Sequence, residues 1–164
     1  MIAIKKFDRS QVDILFSVLT VFLLIVLDRI SKVFFSELLS PNESLPVIPH
    51  VLSMTLVHNT GIAFGLFKDQ GVVFIIVPII AIVLLIYNIY YYKNNGEQLS
   101  RLYIVAFSLI LAGAIGNLID RIAYGYVIDF IDFRVWPVFN LADSAITIGA
   151  VIIAVKCIPH KDRR

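Results

Sequence analysis

Four long runs of apolar residues, at 14–35, 72–92, 102–119 and 141–158, constrain this chain more than any other feature. A run of roughly 18 or more such residues is long enough to cross a bilayer. Backbone inside lipid must satisfy its own hydrogen bonds, so each run is read as a helix. With 59% hydrophobic and 16% charged residues in 164, and a mean hydropathy of +0.89, a water-soluble globule would expose too much apolar surface; one of this size buries only about 70% of what its unfolded chain exposes. The fold class expected is an all-α integral membrane protein with four transmembrane helices, forming one membrane-embedded domain over residues 1–164. The first run carries Asp28, Arg29 and Lys32 in its second half, and the second has no charge and contains Pro78. Charges at the far end of the first run, with no small-residue cleavage pattern after it, argue for a retained helix rather than a signal peptide.

Basic residues set the orientation. Lys5, Lys6, Arg9, Lys93, Arg101, Lys156, Lys161, Arg163 and Arg164 fall on one side, against Arg29, Lys32, Lys68, Arg121 and Arg134 on the other. Nine against five places both termini in the cytoplasm. Runs one and three then lead outward, two and four inward. Asp28, Asn117, Asp120 and Asp143, from separate stretches of chain, all reach one layer near the outer surface. The outer connections also carry strand-like stretches at 44–58 and 124–139, rich in β-branched and aromatic residues. Tyr124, Tyr126, Phe130, Phe133 and Trp136 suit the interfacial zone, and Arg29 and Arg134 are candidates for lipid headgroup contact.

The net charge of +2 and the lack of a basic stripe argue against nucleic acid. Cys157 is the single cysteine, so no intramolecular disulfide or CxxC metal pair forms. His50, His58 and His160 have no metal-ligand spacing, and neither a metal nor another cofactor is expected. Gly113, Asn117, Asp120 and Arg121 recur at three and four residues and share a helical face. Ser108, Ala112 and Gly116 form an adjacent stripe of small residues for close helix packing. Arg121 offers a fork of donors suited to peptide carbonyls or a phosphate. Asn140 and Asp143 open the fourth helix, where Asn140 is a ready N-cap and an acid in the first turn is favoured. Asp28 and Lys32, four apart, suit an intrahelical pair, and Asn59, Thr60 and Gly61 suit a turn.

Asp129 and Asp132 both lie in the connection before the fourth helix, in the stretch VIDFID. An aspartate there meeting Asp143, partly screened from water, gives a pair that cannot both ionise easily. Such a pair activates water with its carboxylate and protonates a leaving amine with its acid. Residue spacing alone leaves open which of Asp129 and Asp132 is the partner.

Five blocks, in order, resemble the lipoprotein signal peptidase (signal peptidase II) family: DRISK at 28–32, NTGIAF at 59–64, GAIGNLIDR at 113–121, VIDF at 127–130 and FNLAD at 139–143. The resemblance implies an aspartyl endopeptidase of the bacterial inner membrane. It would remove signal peptides from diacylglyceryl-modified prolipoproteins by cutting on the N-terminal side of the lipidated cysteine. It implies Asp129 and Asp143 as the catalytic dyad, with no covalent intermediate. Asn59, Asn117, Arg121 and Asn140 would line the substrate site, and Asp28, Lys32 and Asp120 would stabilise the polar cluster. It further implies a small periplasmic sheet and a short periplasmic helix over the site, with the segment after Asn59 as a candidate. Prolipoprotein substrates and membrane lipids are the expected partners, and the chain is expected to act as a monomer. Two other readings compete. A transporter would place ionisable groups near the bilayer midplane, unlike the one-sided cluster here. A non-enzymatic scaffold would tolerate Asn at both aspartates.

Overall fold

A computed structural model describes residues 9–61, scattered helical residues between 76 and 91, and residues 100–157. Three helices are described whole: α1 (Arg9–Leu38), α2 (Arg101–Tyr124) and α3 (Leu141–Cys157). They correspond to the first, third and fourth apolar runs. The described residues of the second run, among them Ile76, Ile79, Ile80, Val83 and Ile86, are helical. Pro78 and the candidate short helix after Asn59 lie outside the described residues. Both α1 and α2 are long and apolar enough to cross a membrane.

Burial runs opposite to that of a water-soluble domain. Val18, Phe22, Leu23 and Ile30 on α1 are all more than half exposed, while Lys32, Asn140, Asp120 and Asp129 are almost wholly enclosed. In water such an arrangement would forfeit hydrophobic stabilisation. In lipid the apolar flanks meet hydrocarbon and the polar groups meet one another, which is the favourable arrangement.

Helix directions follow from the contacts. Ser17 shares a 2.7 Å hydrogen bond with Ser108, and Arg29 pairs with Asp120. The separation is 91 residues at both places, so α1 and α2 run parallel. Ala106 lies opposite Gly149 and Gly113 opposite Ala142, so α2 and α3 run antiparallel. At Gly149 an added Cβ would sit 2.6 Å from the Ala106 carbonyl oxygen, and at Gly113 it would run into the Ala142 carbonyl oxygen. Glycine there lets the two backbones touch.

The strand-like stretches form one antiparallel sheet in the order β1-β2-β3: β1 (Ser44–Ile48), β2 (Leu52–Asn59) and β3 (Val127–Asp132). Pro46 is tolerated because β1 is the edge strand. Register pairs Val57 with Asp129 and His58 with Ile128. The far edge of β3 is closed by Phe139, which exchanges backbone hydrogen bonds with Ile131 at 2.8 and 3.0 Å. That bridge delivers the next residue, Asn140, to the start of α3 beside β3. Leu39, Leu56 and Ile128, with Phe35, Met54 and Tyr126 around them, seat the sheet on the end of α1, and Phe130 stacks on Phe35 at 4.5 Å.

Candidate active site

The ends of α1, α2 and α3 and strand β3 converge on one polar cluster, and each element is held there by an identifiable contact. Helix α2 stops at Gly125, which takes the left-handed conformation (φ 80°) and donates its N–H to the Arg121 carbonyl. Glycine adopts that cap without a Cβ clash. The short turn that follows brings β3 back over the helix, where the Ile128 N–H donates to Asp120 at 3.3 Å. At α3, Asn140 Oδ1 accepts from the Asp143 N–H at 2.8 Å, and the Asp143 carboxylate accepts from the Asn140 N–H at 3.2 Å. This is a reciprocal capping box. The expected N-cap is therefore present, yet it does not exhaust either side chain.

Asn140 Nδ2 also donates to Asp129 Oδ1 at 2.7 Å, with Asn117 Oδ1 at 3.0 Å and the Ile128 carbonyl at 3.2 Å. Asn59 Nδ2 donates to the other Asp129 oxygen at 2.8 Å. Asn117 Nδ2 donates to Asp143 Oδ1 at 2.7 Å. Each of the four carboxylate oxygens thus receives an N–H, and a carboxylate oxygen has a second lone pair that can take a further donor. Asp129 is 1% exposed. Its burial, then the nearby Asp143 charge, push its carboxyl up to about 7, against the opposing pull of Asn59, Asn140 and Lys32.

Behind the pair lies Lys32, with no exposed surface. Its ammonium is 2.8 Å from Asp28, 2.8 Å from Asp120 and 3.1 Å from Asn117 Oδ1. The Asp28 contact is an ion pair as the sequence spacing suggested. Asp120 pairs with Lys32 and Arg29. Arg121 is half-buried and feels the charges of Asp143, Asp129 and Asp120. The nine residues that the resemblance assigns to the dyad, the substrate site and the polar cluster therefore lie in one region.

Strand alternation separates Asp129 from Asp132, because residues three apart on a strand point to opposite faces. Asp132 accepts from Thr55 Oγ1 at 2.8 Å and from the Arg134 N–H at 2.7 Å. Arg134, at φ 64°, donates to Ser53 at 2.7 Å and to Ser44 at 2.8 Å. This second network ties the connection to the sheet, and sequence reading missed it. Also missed was the role of Asp28 Oδ1, which accepts from the Ala142 N–H at 3.0 Å across 114 residues of chain and so caps α3 from α1. The lone signal for either was an acid inside an apolar run or strand. Asn59 makes the expected turn, its Oδ1 accepting from the Gly61 N–H at 3.0 Å.

A family model described as "Signal peptidase (SPase) II" matches residues 20–159. The lipoprotein signal peptidase of Halothermothrix orenii is 44% identical over 135 residues, covering 82% of this chain and 90% of that protein. That of Moorella thermoacetica is 45% identical over 131 residues, covering 80% and 85% respectively. A bacterial membrane enzyme solved by the in meso method at 2.3 Å resolution has a TM-score of 0.78 and 34% identity, over 90% of this chain and 92% of its own. A second, solved at 1.9 Å, has a TM-score of 0.76 and 35% identity, over 89% and 93%. On the strength of a family match across most of its length, the chain belongs to the signal peptidase II family.

Proposed function

We propose that Asp129 and Asp143 are the working pair of this peptidase, and that its substrate is a prolipoprotein already carrying diacylglycerol on the cysteine after the cleavage site. As a member of the signal peptidase II family, the chain is a membrane aspartic peptidase that removes signal peptides from prolipoproteins. The observation that supports the dyad is the joint hold of Asn140 on both carboxylates, through its side chain on Asp129 and its backbone on Asp143. Two carboxyls joined through one asparagine, one of them buried and feeling the charge of the other, share a proton. Below neutrality the pair is one acid and one carboxylate. The carboxylate takes a proton from a water as its oxygen attacks the scissile carbonyl carbon, and the acid donates to the carbonyl oxygen. The tetrahedral diol collapses as the leaving amine nitrogen takes a proton from the dyad acid and a diol hydroxyl gives its proton to the dyad carboxylate, which restores one acid and one carboxylate.

Asn59, Asn117 and Asn140 hold the carboxylates in place, and Arg121 orients the peptide through carbonyl contacts. Asp28, Lys32 and Asp120, with Arg29 as the second cation, keep the cluster neutral and rigid. The substrate's acyl chains stay in lipid beside the apolar flanks of α1 while the peptide bond enters at the helix ends. The scissile bond lies on the N-terminal side of the lipidated cysteine. In this reading the protein crosses the bacterial inner membrane four times, with both termini cytoplasmic and the dyad near the outer face. The test is an assay of purified protein against a diacylglyceryl-modified prolipoprotein and its unmodified form. Cleavage of the modified form alone supports the substrate assignment, and equal cleavage of both overturns it.

A further inference from the structure

The face of the sheet turned away from Asp129 closes over a groove of about 320 Å³ between the outer turns of α1 and strands β2 and β3. Its floor is Leu56 and Ile128, both buried. Its walls are His58, Tyr124 and Tyr126, with Glu37 as the one carboxylate among the lining residues. We propose that this groove seats the headgroup of a zwitterionic bilayer phospholipid, ammonium toward Glu37 and phosphate toward Arg29.

Three observations converge on that occupant. The groove continues from a flank of α1 on which Ile30, Val33 and Phe34 are 60%, 44% and 55% exposed, a surface that meets acyl chains in a bilayer. Its outer end favours a cation. Glu37 lies beside the C-terminal ends of α1 and α2, where helix dipoles add partial negative charge. Tyr126 stacks on His58 at 4.2 Å and lies 5.9 Å from Tyr124, so aromatic surface is at hand for cation–π contact. Beyond its lining residues, on the side of Val33 and Tyr124, a cation favours an anion. Arg29, Val33 and Glu37 follow at four-residue steps along one side of α1, and the Arg29 guanidinium lies 5.8 Å from the centre of the Tyr124 ring. One of its donors is spent on Asp120, and a guanidinium has five. Eight residues of helix separate Arg29 from Glu37 by about 12 Å along the axis. Cation below and anion above is the complement of a headgroup whose phosphate lies nearer the chains than its ammonium.

Full-length protein is reconstituted in vesicles with equal phosphatidylethanolamine and phosphatidylglycerol, and the lipid that stays bound on gentle release is identified by native mass spectrometry. Wild type is expected to retain the ethanolamine lipid about tenfold over the glycerol lipid, a ratio set by one exposed ion pair and its ring contacts. Glu37→Gln brings the ratio to about one, and Glu37→Lys inverts it. Because Glu37 lies off the dyad, Glu37→Gln cleaves prolipoprotein in detergent at the wild-type rate, which separates loss of the lipid seat from loss of the peptidase. Equal retention by wild type, or an unchanged preference in Glu37→Gln, overturns the proposal.

Discussion

An ammonium has donors and no acceptor, so the oxygen of the Asn117 amide must face Lys32. Its NH₂ is thereby turned to Asp143. Lys32, two contacts away from Asp143, thus fixes the orientation of the amide that donates to it. Replacing it with Met removes the counter-charge of Asp28 and one of two at Asp120, and the expected cost is about 3–5 kcal/mol in thermal denaturation. Asp129 carries the pH dependence. Its carboxyl is pushed up to about 7 by burial first and by Asp143 second, so the fold holds that proton more tightly than the unfolded chain does. Its contribution to stability therefore declines as pH rises from about 4 to about 7 and levels off above. Asp129→Asn removes that penalty, so the variant is expected to melt a few degrees higher than wild type at pH 8, with no such gain at pH 4. Peptidase activity should fall as pH rises through about 7, when the pair loses its shared proton. At this scale the sequence stopped at VIDFID. Alternation shows that Asp129 and Asp132 face opposite ways, but which face meets α3 depends on the register of β2 on β3, a contact across some seventy residues.

Helix α2 was expected to divide its labour, with Gly113 on the polar face and Ser108, Ala112 and Gly116 on the packing face. The small stripe is buried as expected. Gly113 packs as well, with its Cα against the Ala142 carbonyl. The two roles merge because the start of α3 lies on that seam, offering backbone at Ala142 and a carboxylate at Asp143. Gly113→Leu is expected to force α2 and α3 apart, costing about 1–3 kcal/mol and lowering cleavage by misplacing Asp143. Chemical denaturation followed by helix content, beside the activity assay, checks both effects. Hydropathy made the helices legible, since lipid demands long apolar runs. β-Branched and aromatic composition made the strands legible. Strand order and the Arg134 ties to Ser44 and Ser53 rest on long-range contacts that no local pattern carries.

Among the described residues the buried charged side chains gather at one end of a bundle whose flanks are apolar, so that the site lies where water and hydrocarbon would meet. The parallel course of α1 and α2 and the antiparallel course of α3 are observed, and which end faces the cytoplasm is a proposal from the basic residues. A green fluorescent protein fused after Arg164 should fluoresce, as it does when it folds in the cytoplasm; a dark but inserted fusion would reverse the orientation. The dyad itself is tested most directly by cleavage of diacylglyceryl-modified prolipoprotein by purified wild type, Asp129→Asn, Asp143→Asn and Asp132→Asn. The first two variants should each lose about a thousandfold or more in rate while remaining folded, and Asp132→Asn should stay within about tenfold of wild type. Wild-type activity in either dyad variant, or loss confined to Asp132→Asn, would contradict the assignment.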